Sequence, residues 1–188
     1  TNPNPMVGAV IVKDGKIIGE GYHKKYGELH AETSALNNCT KSPEGATIYV
    51  TLEPCCHHGK QPPCTEAIIK AGIKRVVIGS LDPNPLVSGK GIQILREHNI
   101  QVDNKLVCNR ECIDMNYVFF HYIKEKLPYV IVKYAQTLDG KIATHNGLSK
   151  WITGEAAREN VHMDRHRYSA IMVGINTVLK DDPMLNCR

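Results

Sequence analysis

The stretch Ala46-Thr47-Ile48-Tyr49-Val50-Thr51-Leu52-Glu53-Pro54-Cys55 decides the fold. Ala46 to Thr51 reads as a buried strand, and its end at Leu52-Glu53-Pro54 delivers a cysteine into a strand-to-helix crossing. Upstream, His30 to Asn38 reads as a helix opening at His30-Ala31-Glu32. Downstream, Thr65 to Ala71 reads as a short helix behind Cys64, closed by Gly72. Arg75 to Ser80 is a second apolar strand, followed by the loop Asp82-Pro83-Asn84-Pro85. Nearer the start, Val7 to Val12 is a strand, Asp14-Gly15 a tight hairpin turn, and Ile17 to Tyr22 the returning strand. Gly91 to His98 reads as a helix with Ile92, Ile94 and Leu95 apolar, and Val107 to Lys124 as one longer helix. Strands alternating with helices imply an α/β domain of three layers, α/β/α, around a mostly parallel mixed sheet.

A boundary falls at Glu125-Lys126-Leu127-Pro128, giving one domain over residues 1–126 and a second over 127–188. In the second, Tyr129 to Tyr134 and Ala170 to Gly174 read as strands and Glu155 to Tyr168 as a polar helix. About 60 residues are few for a complete α/β domain. The second unit is therefore expected to be the first part of a longer domain. The opening at Thr1, directly on strand-like sequence, leads us to expect a truncated N-terminus, with a first helix missing from the layer arrangement.

Composition is ordinary for a globular protein, with a formal net charge of +4 over 188 residues and a pI near 8.6. That balance suits an anionic small substrate and is weak support for nucleic acid. Aromatics make up 6% of the chain and no basic stripe flanks the HAE segment, which argues against a nucleic-acid groove. No apolar run reaches the roughly 18 residues of a membrane span. Seven cysteines are an odd number without a disulfide framework, so a reducing, cytoplasmic setting is expected.

His30, Cys55 and Cys64 offer one imidazole and two thiolates, a donor set suited to zinc with a fourth position open. Glu32, two residues from the imidazole, is placed to carry protons for a water activated there, as in the H-x-E and P-C…C pattern of zinc deaminases acting on bases. A closed structural site, with Cys56, His57 or His58 as fourth ligand, is the competing reading, and Glu32 has no task in it. The Cys55–Cys64 spacing is longer than C-x-x-C. It departs from both a zinc ribbon and the commonest deaminase form.

At this point the motifs become specific. Pro54-Cys55-Cys56-His57-His58-Gly59-Lys60-Gln61-Pro62-Pro63-Cys64 resembles the P-C-x-H-x-G-x-x-P-P-C motif of the bifunctional deaminase/reductase family of riboflavin biosynthesis. Asn2-Pro3-Asn4-Pro5 with Val7-Gly8 resembles that family's substrate loop, and Asp82-Pro83-Asn84-Pro85 its D-P-N-P loop. Lys133 through Thr153 resembles the start of its reductase domain, which has a dihydrofolate-reductase-like fold.

The resemblance implies zinc held by His30, Cys55 and Cys64, and Glu32 as proton shuttle. It also implies substrate contacts at Asn4, His23, Lys60, Asp82 and Asn84. The expected reaction is hydrolytic deamination of 2,5-diamino-6-ribosylamino-4(3H)-pyrimidinone 5′-phosphate, followed by NADPH-dependent reduction of the ribosyl chain. For that second step it implies NADP contacts at Ala135, Trp151, Thr177 and Asp181, and substrate contacts at Ser149, Arg165, Leu185 and Arg188. The phosphate-gripping glycine-rich segment of the reductase does not occur in residues 127–188, which are therefore expected not to catalyse reduction by themselves. Homo-oligomers follow from the same likeness. A deaminase of nucleic-acid bases or nucleosides and a non-catalytic zinc-stabilised binding module are the alternatives. Replacing Glu32 separates enzyme from module.

Overall fold

Asp14 and Gly15 both take positive φ, 50° and 72°, the backbone that lets a two-residue hairpin follow the natural twist of its strands. They join β1 (Gly8–Lys13) to β2 (Lys16–Tyr22) in antiparallel register. The computed structural model describes residues 1–104 and 107–187. Its first unit, Thr1–Val130, carries a five-stranded sheet in the order β2-β1-β3-β4-β5. β3 (Thr47–Leu52) pairs antiparallel with β1 and parallel with β4 (Arg75–Ser80). β4 in turn pairs parallel with β5 (Gln101–Asn104). The sheet is mixed, with its parallel pairings on the β3-β4-β5 side.

Directly opposed residues share a face of a sheet. Ala9, Ile11, Ile48, Val50, Val76 and Ile78 therefore line one side, and all are buried. Against them lie α1 (Ala31–Asn37), α2 (Cys64–Lys70) and α3 (Lys90–Glu97), which contribute Ala31, Ala35, Ile68, Ile92 and Leu95 to the same core. The backbone of α1 runs so close to β2 that a Cβ on Gly21 would collide with the backbone of Ala35 and Ala31. On the opposite face α4 (Asn109–Met115) sets Cys112 against Gly79. These are the three expected layers. A groove of about 650 Å³ lined by Val10, Tyr49, Val77 and Cys112 also lies in this unit.

Three expectations change. The single helix over Val107–Lys124 is two, α4 and α5 (Tyr117–Glu125). The break is Asn116, a buried side chain that accepts from Met6 N–H and donates to Met6 C=O, both at 2.8 Å. An amide that satisfies a distant backbone in this way competes with helix continuation. The second difference is β5, which lies in a stretch assigned no strand. It is short and polar, and it is held by the parallel ladder to β4 and by Arg75 Nε donating to Asp103 Oδ2 at 2.6 Å.

The third difference lies in the second unit, Ile131–Arg188. Its described elements are α6 (Glu155–Arg167) and α7 (Ile175–Asp181). Tyr129–Tyr134 and Ala170–Gly174 are not strands here, because among the described residues neither finds a pairing partner. A strand without a ladder leaves its backbone groups to solvent.

The architecture positions the site through the parallel pair. β3 and β4 end together, Leu52 opposite Ser80. The segments that follow them, Glu53-Pro54-Cys55 and Asp82-Pro83-Asn84, therefore leave the sheet side by side, at the carboxyl end where α/β sheets collect ligands.

Candidate metal centre and its surroundings

His30 precedes the first turn of α1 with extended backbone, Cys55 follows β3, and Cys64 opens α2. Their ligand atoms all lie within 4.8 Å of one another. His30 Nδ1 is 3.4 Å from Cys55 Sγ and 3.3 Å from Cys64 Sγ. Tetrahedral zinc, with Zn–S of about 2.3 Å and Zn–N of about 2.0–2.1 Å, sets an N···S separation of about 3.6 Å. The donor atoms thus fit a zinc ion with little adjustment. Among the described residues no other group of three metal-ligating side chains comes together.

The Cys64 backbone N–H donates to Cys55 Sγ at 3.3 Å. Hydrogen bonding from Cys64 and from His30 holds the Cys55 thiol well below its ordinary range, against the opposing effect of burial. Cys64, the donor of the pair, is pushed up by that same hydrogen bond and by burial. His30 is raised, chiefly through its hydrogen bond to Cys55. A thiolate beside a proton-rich imidazole is a site from which metal binding displaces protons.

Glu32 lies in the first turn of α1, 3% exposed. Burial pushes its carboxyl up to about 7, with the charge of Cys55 adding to it and its own backbone N–H opposing. A carboxyl poised near neutrality can both take and give a proton at physiological pH.

Around this centre the remaining sequence-derived residues fall into two loops and one relay. His23 is buried, and both its ring nitrogens are engaged. Nδ1 lies 3.0 Å from Leu29 C=O and Nε2 3.0 Å from Asn4 Nδ2. A carbonyl accepts only, so Nδ1 carries the proton and Nε2 accepts from the Asn4 amide. Asn4 Oδ1 is then left to accept from something else. The His23 ring also meets His30 edge-on, centroids 5.5 Å apart, so Asn4 is tied to the metal centre through one imidazole.

Lys60 is exposed, its Nζ 4.1 Å from the centroid of the Tyr26 ring. The neighbouring Gln61 donates to Gly27 C=O at 3.0 Å, closing the loop of the cysteines onto the loop before α1. Asp82 is buried and its Oδ1 accepts from Asn84 N–H at 2.8 Å, while Asn84 Oδ1 accepts from Leu86 N–H at 3.1 Å. Burial pushes Asp82 up to about 6, Asn84 N–H opposes, and the charges of Glu53 and His57 act in opposite directions.

The second unit gathers its candidates less closely. Thr177 and Asp181 are one turn apart on α7, hence on one side of it. Trp151 is 68% exposed with the Arg158 guanidinium 4.4 Å over its ring. Arg165 donates to Asn186 C=O at 3.0 Å. Ala135 and Leu185 are half-buried and Ser149 exposed, all outside helices. Arg188 lies outside the described residues.

Tyr26, Gln61, Asn116 and Glu53 are the structural participants that the sequence reading passed over. Glu53 carried a readable signal: a carboxylate closing an otherwise apolar strand must find donors.

Residues 1–80 match the family described as the cytidine and deoxycytidylate deaminase zinc-binding region, and residues 128–188 the RibD C-terminal domain. Over all 188 residues the chain is 60% identical to the riboflavin biosynthesis protein RibD of Actinobacillus pleuropneumoniae and 56% identical to that of Aquifex aeolicus, covering 50% and 52% of their lengths. The fold is similar to a diaminohydroxyphosphoribosylaminopyrimidine deaminase/5-amino-6-(5-phosphoribosylamino)uracil reductase of Thermotoga maritima. That likeness has a TM-score of 0.92 at 53% identity, over 100% of this chain and 54% of the other. A more distant likeness, TM-score 0.52 at 25% identity, joins 66% of this chain to 86% of an Aspergillus oryzae Rib2 deaminase solved in complex with DARIPP. The chain spans about half the length of the RibD relatives it matches. By sequence along its whole length and by fold, the chain is similar to the RibD proteins of riboflavin biosynthesis.

Proposed function

We propose that residues 1–126 form a zinc-dependent deaminase domain. Its reaction is hydrolytic removal of an amino group from 2,5-diamino-6-ribosylamino-4(3H)-pyrimidinone 5′-phosphate. The observation that carries this reading is the convergence of His30 Nδ1, Cys55 Sγ and Cys64 Sγ beside the buried carboxyl of Glu32. A structural zinc site has no use for a carboxyl held near neutrality. His30, Cys55 and Cys64 hold the metal, which when bound supplies Lewis acidity for activating water. Glu32 takes a proton from the attacking water and delivers it to a ring nitrogen, then takes the proton of the hydroxyl so added to the ring carbon and passes it to the departing amine, which leaves as ammonia.

Asn4, fixed by His23, offers Oδ1 to a donor edge of the base. Lys60 meets the phosphate as a point charge. Asp82 and Asn84 face the substrate from the adjoining loop.

Residues 127–188 are the start of an NADPH-dependent reductase domain, with Ala135, Trp151, Thr177 and Asp181 for the cofactor. Ser149, Arg165, Leu185 and Arg188 serve the ribosyl substrate. The working protein is a cytoplasmic homo-oligomer. No helix among the described residues is long and apolar enough to cross a membrane.

The test compares ammonia release from the diaminopyrimidine ribosyl phosphate with release from cytidine and deoxycytidylate. Release from the first at a kcat/KM at least about a hundredfold higher is expected, since a site built for a polar group rejects analogues lacking it. Equal rates on all three would contradict the substrate assignment.

A further inference from the structure

Glu53 is a buried carboxylate, 3% exposed, with no ion-pair partner among the described residues. A charge in that position is costly unless donors surround it. Its donors are three backbone N–H groups from one stretch of chain: Asp82 at 3.4 Å and Gly89 at 3.1 Å on Oε2, and Ile92 at 3.5 Å on Oε1. Its own N–H donates to Ser80 C=O at 2.9 Å, continuing the β3–β4 ladder by one step. Gly89 and Ile92 bracket the start of α3, whose N-terminus has no side-chain cap of its own. Glu53 therefore supplies, from a different part of the chain, the carboxylate that a first turn ordinarily takes from a neighbour.

A second contact fixes the same junction. A Cβ on Gly91 would collide with the Pro54 carbonyl, so the backbone of α3 rests directly on the residue before Cys55. Between its two anchoring ends, the 82–89 segment is braced by the Asp82 and Asn84 side chains turning back on their own backbone.

We propose that Glu53 is a positioning residue. It locks the 82–89 loop and the start of α3 to the Pro54–Cys55 segment, and so fixes Asp82 and Asn84 relative to the metal centre. It acts through that loop and does not touch substrate. The catalytic part of this inference rests on the deaminase reading.

The test uses the full-length protein with Glu53→Ala and Glu53→Gln, reading zinc content, KM and kcat for ammonia release, and hydrogen exchange at the Gly89 and Ile92 amides. Glu53→Ala should keep its zinc, raise KM about tenfold with kcat changed by less than about threefold, and lose protection at both amides. Glu53→Gln keeps one acceptor oxygen but turns its amide NH2, a donor, toward the opposite backbone N–H. It should fall between parent and alanine in both KM and protection.

An unchanged KM in a zinc-loaded Glu53→Ala protein would overturn the positioning role. So would parental protection at both amides. If the parent releases no ammonia, the deaminase reading fails by itself, and the amide exchange still decides whether Glu53 holds the loop.

Discussion

Asp82 shows how a single side chain can report on the loop that holds it. Burial lifts its folded-state value to about 6 from an ordinary 3.8. Between those values the native chain binds more protons than the unfolded chain. Its contribution therefore favours folding at low pH and is lost as pH rises through about 6. In chelator, so that metal release does not enter, Asp82→Asn should show a smaller fall in Tm than the parent between pH 4 and 7. Parallel Tm profiles would contradict the burial. Cys55→Ser and Cys64→Ser should each lower zinc occupancy by about tenfold or more at limiting metal, read by elemental analysis. The cluster of His30, Cys55 and Cys64 was legible because metal chemistry admits few residue types at few spacings. The partners of His23 were not, since a tautomer is set by a carbonyl at Leu29 and an amide at Asn4 that only the folded chain brings together.

At the scale of elements, the central strands and helices were readable from apolar periodicity and turn residues, and the Asp14-Gly15 hairpin from its dipeptide alone. Where reading failed, a tertiary contact had overruled local preference. Asn116 interrupts a helical run because Met6 engages its amide, and β5 exists because β4 offers a ladder. Asn116→Ala removes two partly buried hydrogen bonds and leaves Met6 N–H and C=O without them. It should cost about 1–3 kcal/mol in denaturant unfolding. Gly21→Ala should cost about 1–3 kcal/mol as well, because the added methyl meets α1 backbone and not a movable side chain. A Gly21→Ala protein as stable as its parent would mean that α1 does not rest on β2 as described.

On the scale of the whole molecule, the chain carries two units of different character. The first closes a core around its sheet, and its metal centre joins α1, the end of β3 and the start of α2. A ligand that binds only the folded state stabilises what it joins. Chelation should therefore lower the Tm by about 5 °C or more and speed hydrogen exchange around residues 55–64, leaving residues 131–187 unchanged. Equal acceleration in both units would mean that the metal is not local to the first. The strands expected at Tyr129–Tyr134 and Ala170–Gly174 were read from local sequence, but a strand is stable only in a sheet, and among the described residues neither stretch finds a partner.

The most direct measurement of the central claim is ammonia release from the diaminopyrimidine ribosyl phosphate by the full-length protein and by its Glu32→Gln variant, with zinc counted in both. The account predicts one zinc per chain in each and a kcat reduced by about 10²–10⁴-fold in the variant. A zinc-loaded Glu32→Gln protein that releases ammonia at the parental rate would contradict it.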